Sequence, residues 1–293
     1  MWRIYRVIFR LRSPMHIGWG KVGNLQTTRP YVTGRAVWGA LTMRLTRDAV
    51  QGAPATDSRR YKAIGKQVHQ SLAFTYLYPC TQGKGGYDIA WPWKKENLFR
   101  FLGSYQGIAL SGFSHSAAIG MLREVEFISP YTMDTGEPVF LVGYIFERDG
   151  SELAWQEALT RVQFGGERSY GWGDVRLIET REVKGDQLFD GKVKFDCSGK
   201  QVYICVPCGE HLLAHAVARN LPAKGEVEPL IGREWQSYNP RHRYAGQHVE
   251  YSGVCFAPGS VVTQKLNLSL EEYGIWRRIN ASRIGQRAAK DKK

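Results

Sequence analysis

Four glycines, one cation and two aromatics crowd into Gly165-Gly166-Glu167-Arg168-Ser169-Tyr170-Gly171-Trp172-Gly173. Glycine tolerates positive φ and lets backbone N–H groups approach a phosphate closely, Arg168 supplies charge, and Tyr170 or Trp172 offers a face for stacking. The same composition also suits a tight connection from a helix to a strand that merely needs glycine. The loop lacks the Gly-Lys-Ser/Thr ending of a nucleotide P-loop, and it follows a helical pattern where a dinucleotide site would follow a strand, so ATP and NAD fit poorly. Cys205, Cys208, His211 and His215 are four zinc-compatible donors with one Cys-x2-Cys spacing. Their turns are very tight, and two buried thiols followed by a helix with ordinary histidines explain them as well. No metal and no cofactor are assigned. Lys84-Gly85-Gly86-Tyr87 and Trp91-Pro92-Trp93-Lys94-Lys95 suit either a thumb that wedges aromatic surface between RNA bases or an insertion packing on a neighbouring subunit.

The 293 residues carry 40 Lys+Arg against 27 Asp+Glu, a net charge of +13, with 43% hydrophobic residues. That composition excludes a disordered chain and a small disulfide scaffold. The opening MWRIYRVIFRLR alternates Arg with apolar residues where a signal peptide would have an unbroken apolar run, and no stretch reaches the roughly 18 apolar residues of a spanning helix. A soluble, cytoplasmic protein is expected. Five cysteines, odd in number and sparse, fit a reducing compartment. Residues 1 to 47 hold nine Lys/Arg and no acid, and residues 277 to 293 hold seven with only Asp291, so the positive charge is gathered at two places. A polyanion such as nucleic acid is the natural partner for such charge, the alternative being a solvated, solubilising surface. Trp19, Tyr87, Trp91, Trp93, Tyr170 and Trp172 lie beside Gly, Lys or Arg, which suits base stacking.

The elements that would position these residues are partly legible. Arg3 to Arg12 alternates as a half-buried strand. Pro14 to Gly34, with four glycines and two prolines, reads as a long loop. Arg35 to Ala49 places Val37, Leu41, Leu45 and Ala49 at helical spacing. Residues 50 to 118 show no clean period and read as an insertion. Met121 to Ser129 and Val139 to Glu147 read as a hairpin, and Ser151 as the N-cap of a helix with Leu153, Ala154, Ala158, Leu159 and Val162 on its apolar face. A strand over 174 to 179 follows the glycine loop. The resulting order βαββαβ is the ferredoxin-like plan. Residues 182 to 192 read as a linker. Beyond it a strand over 200 to 206, a helix over 210 to 220 and a broken hairpin over 252 to 268 repeat the theme. The expectation is an α+β protein of two ferredoxin-like (RRM-like) domains. The first spans 1 to 185 with its insertion at 50 to 118, the second, degenerate one spans 190 to 268, and a basic helix and tail fill 269 to 293.

Ser13-Pro14-Met15-His16-Ile17-Gly18 after the first strand, Arg29-Pro30-Tyr31-Val32-Thr33-Gly34 leading into RAVWGAL, and GGERSYGWG before the last ferredoxin-like strand together resemble the RAMP superfamily of CRISPR effector proteins. The resemblance covers residues 1 to about 180. Ala257-Pro258-Gly259-Ser260-Val261-Val262 is similar to a strand of family members that cap the 5′ handle of the guide RNA. The resemblance implies a non-catalytic crRNA-binding subunit in antiviral defence. Its partners would be crRNA and neighbouring Cas subunits, with target RNA met indirectly and no membrane. Gly165, Gly166, Arg168, Tyr170, Gly171, Trp172 and Gly173 would then hold RNA, with Gly18, Lys21, Arg29 and Arg35 as the facing wall and His16 orienting the loop. Members that cut target RNA carry an aspartate after the first strand, whereas residues 13 to 47 hold no acid, so target cleavage would need a distant carboxylate such as Asp48 or Asp134. A second branch matures precursor crRNA without metal, and there His16 would be the general base that activates a 2′-hydroxyl. Those enzymes carry their glycine loop near the C-terminus, whereas 120 residues follow Gly173 here. A protein-only scaffold is the third reading.

Overall fold

The computed structural model describes residues 1–52, 57–109, 112, 121–238 and 246–279. Its first part contains β1 (Trp2–Leu11), β2 (Gly18–Val22), β3 (Leu25–Thr28), α1 (Gly34–Asp48), α2 (Ser58–Ser71), β4 (Leu72–Phe74), β5 (Tyr78–Gly83), β6 (Gly86–Ile89), α3 (Lys95–Phe101), β7 (Leu102–Gly107), β8 (Arg123–Ile128), β9 (Phe140–Arg148), α4 (Trp155–Leu159) and β10 (Val175–Glu182). The second part contains β11 (Gln187–Leu188), β12 (Val193–Asp196), β13 (Tyr203–Val206), β14 (Ala216–Val217), β15 (Ala223–Lys224), β16 (Val227–Glu234), β17 (His248–Phe256), β18 (Val261–Val262), β19 (Leu266–Leu270) and β20 (Trp276–Arg278). The protein is α+β. Among the described residues no helix is long and apolar enough to cross a membrane.

The central sheet runs β10-β1-β9-β5-β6, with β4 also on β9, and β1 is antiparallel to both its neighbours. Tyr5, Val7, Phe9 and Leu11 of β1 face Val37 and Leu41 of α1 and Trp155 and Leu159 of α4. The Thr33 hydroxyl accepts from the Ala36 N–H at the start of α1, which ends at the predicted place. The other face of β1 and β9, with Ile4, Tyr144 and Phe146, packs against Phe189, Phe195 and Leu213 from the second part. The first strand is therefore covered on both faces rather than half-buried, because the second part of the chain occupies the face expected to meet water.

Several expectations are corrected. The loop over 14 to 34 contains the β2–β3 hairpin, which turns at Gly23 with φ of 59°. The stretch 50 to 118, read as an insertion, supplies α2 on α1 and strands β4 and β5 hydrogen-bonded to β9. The strands at 121–129 and 139–147 exist but do not form a hairpin: β8 pairs with β7 and β3 in a separate four-stranded sheet, and β5 takes the place beside β9. Buried along almost its whole length, β9 needs apolar neighbours on both faces, which the half-buried β8 does not offer. Ser151 does not cap α4. That helix starts four residues later, and the Ser151 hydroxyl accepts from Leu153 in a local turn.

The second part departs further. In place of a second ferredoxin-like domain the described residues hold an eight-stranded sheet, β11-β12-β13-β19-β20-β14-β17-β16, and no α-helix. The segment 210–220 is not helical but runs through bends at Leu213 and Ala214, the short β14 and a turn at Arg219 and Asn220, and Leu212, Leu213, Ala214, His215 and Ala216 are all buried, which leaves no polar face for a helix. Its backbone is tied sideways: Leu212 donates to Ser260 O, Gly259 to Leu212 O and Trp276 to His215 O. The hairpin expected over 252 to 268 is divided, with β17 pairing with β16 and β19 pairing with β13 and β20. Within the linker, Leu188 and Phe189 are buried in the junction. Residues 280–293 of the basic tail lie outside the described residues.

Candidate nucleic-acid interface

The glycine loop is laced onto the segment that follows β1. Gly173 donates its N–H to Pro14 O at 2.7 Å, Gly166 donates to His16 O at 2.9 Å, and Asp174 donates to the Ser13 hydroxyl at 2.9 Å. Gly165 and Gly173 sit at φ of 81° and 79°, and a Cβ on either would run into the carbonyl of His16 or Phe164. Glycine is required at these two positions by close backbone approach. Between them Arg168–Tyr170 forms a 3-10 turn that projects into solvent. Arg168 donates Nε to Gly165 O at 2.9 Å and has no carboxylate partner among the described residues. Tyr170 is 68% exposed, and the Arg123 guanidinium lies 5.2 Å from its ring centre. Arg123 is also paired with Glu167 at 3.0 Å, which fixes the base of the turn. Gly166 and Gly171 are exposed. Trp172 instead packs edge-on against Phe127 at 5.3 Å and Tyr105 at 6.1 Å, bracing the turn from beneath.

The neighbouring hairpin is open: Gly18, Trp19, Gly20, Lys21 and Val22 are all exposed. His16 links it to the loop. Its ring is 7% exposed, and Nδ1 lies 2.8 Å from Glu126 O. A carbonyl only accepts, so Nδ1 carries the proton and Nε2 points toward Gly18.

Two expected wall residues are engaged elsewhere. Arg29, 8% exposed, makes a bidentate pair with Glu228 of β16, at 2.7 and 2.9 Å. Glu228 also takes a 2.7 Å hydrogen bond from His215 Nε2, and the His215 Nδ1 lies 2.7 Å from the Tyr76 hydroxyl. Burial alone would raise the Glu228 carboxyl, but the hydrogen bonds from His215 and Arg29 outweigh it and hold that group well below the usual carboxylate range. Burial pushes His215 down, partly countered by Glu228. Arg35 is paired with Glu234 at 2.9 Å and Glu250 at 3.4 Å and lies 3.7 Å over the Tyr273 ring. Both arginines thus bind the β16–β17 hairpin rather than facing outward, because one face of that hairpin lines up Glu228, Glu234 and Glu250. The alternation in VEPLIGRE and HVEYSGVCF carries this signal, though not the identity of the partners.

The other singled-out residues are dispersed. Cys205 lies on β13, Cys208 donates to Thr263 O at 3.2 Å, His211 stacks on Trp93 at 5.1 Å, and His215 belongs to the buried network. The structure does not bring these four together, and among the described residues no group of three or more His, Cys, Asp or Glu is placed to hold a metal. Trp91 and Trp93 stack at 4.9 Å, with Trp91 buried in the junction against Phe189, so they fill a core rather than wedge between bases. Lys84 and Gly85 form the β5–β6 turn, and Gly86 and Tyr87 begin β6, with Tyr87 against Phe140. Asp48 is paired with Arg161 at 3.2 Å, and Asp134 with Arg100 at 2.8 Å. Gly259, at φ of 93°, lies against Trp93, and Ser260 is buried.

The chain matches no protein-family model and no curated protein. Among solved structures it is similar to chains of the Type III-B Cmr-beta complex. One, bound to cognate target RNA and AMPPnP in state 1, is 11% identical, with 89% of this chain and 84% of that chain covered and a TM-score of 0.45. Another, bound to cognate target RNA, is 11% identical over 59% of this chain and 96% of that chain, with a TM-score of 0.43. A third, from the apo state, is 10% identical over 62% and 97%, with a TM-score of 0.39.

Proposed function

We propose that the chain is a non-catalytic RNA-binding subunit of a CRISPR effector ribonucleoprotein, a RAMP-type protein that holds the 5′ handle of the guide RNA and contacts neighbouring subunits in the cytoplasm. The observation that carries this reading is the Arg168–Tyr170 turn, a cation without a carboxylate partner among the described residues and an exposed ring lifted on glycines beside the open β2–β3 hairpin. A guanidinium next to a stacking face is the pairing that single-stranded RNA needs. The strand order β10-β1-β9-β5, with α1 after β1 and α4 before β10, supports a ferredoxin-like first half and sets the loop just ahead of an edge strand. In this reading Gly18, Lys21, Gly165, Gly166, Arg168, Tyr170 and Gly171 face RNA. Trp172 and Gly173 brace the loop, while Arg29 and Arg35 hold the second part of the chain. The endoribonuclease reading, in which the Nε2 lone pair of His16 would be the base, has less support because that side chain is buried.

The test is a labelled CRISPR-repeat RNA incubated in EDTA with wild type, Arg168→Ala, Tyr170→Ala and His16→Ala, scored for both shift and cleavage. Wild type is expected to give a salt-sensitive shift without product. Tyr170→Ala should lose about 1–3 kcal/mol of binding, the contribution of one stacked base. Cleavage that disappears in His16→Ala would make the protein a processing nuclease, and unchanged binding in both loop variants would remove the turn from the interface.

A further inference from the structure

Helix α2 carries Arg59, Arg60, Lys62 and Lys66 and no acidic residue. Gly65 and Val68 are buried against α1, where Trp38 donates its indole N–H to Gly65 O at 3.1 Å. Arg59, Arg60, Lys62, Ala63, Lys66, Gln67 and Gln70 are exposed. At 100° per residue these positions fall within an arc of about 160°, on a helix about 20 Å long. Asp57 pairs with Arg59 at 3.1 Å. Among the described residues Arg60, Lys62 and Lys66 have no carboxylate partner, in contrast to Arg29, Arg35, Arg123 and Arg161.

The fold itself gains nothing from this arrangement. Arg59 and Arg60 lie in the first turn, where the helix dipole disfavours a cation by about 0.3–1 kcal/mol, and Lys62 and Lys66 repel each other at i,i+4 by about 0.2–0.5 kcal/mol. An external polyanion would convert both penalties into attraction. A protein partner is the poorer fit, because the exposed face offers no apolar side chain larger than Ala63 and so lacks the buried anchor on which protein interfaces depend.

The start of α2 is tied to the segment that follows β16. On the side of the helix away from the basic face, the Tyr61 ring lies 6.3 Å from Trp235. Two residues past that, Ser237 hydrogen-bonds to Ser58 at the start of α2, and Tyr238 next to it is 52% exposed. We infer that Arg60, Lys62 and Lys66 on the outer face of α2 bind the phosphate backbone of single-stranded RNA. This rests on the RNA-binding reading and extends it to a second, sequence-independent contact, with space for roughly six stacked nucleotides at about 3.4 Å each.

The experiment is fluorescence anisotropy of two labelled single-stranded RNAs, one of repeat sequence and one unrelated, titrated with the full chain across a salt series. The variants are Arg60→Gln/Lys62→Gln/Lys66→Gln and a control with equal charge loss on exposed residues of the second part, Lys194→Gln/Lys200→Gln/Arg219→Gln. Circular dichroism melts confirm that both fold. The α2 variant should weaken binding to both RNAs about 10- to 100-fold at low salt and make the log–log salt slope shallower by about 2, roughly 0.7 per lost phosphate contact. The control should lose less than about threefold with its slope unchanged. If the two triple variants behave alike while Arg168→Ala still weakens binding, the α2 contact is wrong and RNA binding at the loop stands. If wild type binds neither RNA, both fall, and tighter binding of polyglutamate than of RNA would replace the nucleic acid with an acidic protein.

Discussion

Removing Glu228 tests the claim that Arg29 holds the two parts of the chain together. In Glu228→Ala the Arg29 charge stays buried without its bidentate partner, and the His215 Nε2 proton and the Trp19 indole N–H each lose an acceptor. Breaking a buried pair from one side costs about 3–5 kcal/mol. For a chain of this size that is a fall in melting temperature on the order of 10 °C. The double variant Arg29→Met/Glu228→Leu leaves no charge buried and should recover most of the loss, so the two single effects will not add. The sign with pH follows from the depressed Glu228 carboxyl. Its stabilisation is complete above the unfolded value of about 4.3 and is lost as pH falls below it toward the folded value. The gap between wild type and Glu228→Ala should therefore be constant from about pH 6 to 8 and narrow below about pH 4.5. Differential scanning calorimetry at several pH values reads both quantities. A single variant melting within about 2 °C of wild type, or a double variant that loses the sum of the singles, would refute the buried-network account.

Gly173→Ala should destabilise by more than about 2 kcal/mol, since positive φ and the Phe164 carbonyl oppose the new methyl together. Gly171→Ala, at φ of 78° with open space around it, should cost about 1 kcal/mol, and equal urea midpoints for the two would remove the close-approach argument. Burial, helped by the Arg35 cation, pushes His69 down to about 4, against Trp38 at 4.9 Å. The unfolded chain therefore binds a proton below about pH 6.5 that the folded one refuses, and stability falls by up to about 1.4 kcal/mol per pH unit as pH drops from 6.5 toward 4. His69→Phe, which keeps the stack, should flatten that fall between pH 7 and 5 in urea titrations, and an unchanged dependence would show His69 is not held neutral.

Some of this was written in the chain alone. The strand read over 3–12, the helix read over 35–49 and the strand read after the glycine loop lie within two or three residues of β1, α1 and β10, and local rules suffice for them because tertiary packing agrees with local preference. The glycine loop was equally legible, since four glycines so close together mark a backbone under close approach. The basic face of α2 is present in the sequence as Arg59, Lys62 and Lys66 at helical spacing, but residues 50–118 as a whole carry no clean period that sets this helix apart.

Tertiary structure alone decided the rest. Which strands pair is a non-local matter, so β8 and β9, neighbours in sequence and both suited to strands, went to different sheets. The segment 210–220 has helix-compatible residues, yet burial of Leu212 to Ala216 leaves it no polar face and it does not form a helix. Arg29 and Arg35 look identical in type to Arg168, and it is the β16–β17 hairpin, some 200 residues away in sequence, that neutralises those two, whereas Arg168 has no carboxylate partner among the described residues. Residue types and local periods determine which elements and charges exist, whereas the availability of a charge to a ligand depends on what the remote chain places beside it, because Coulomb attraction acts through space and not along the backbone.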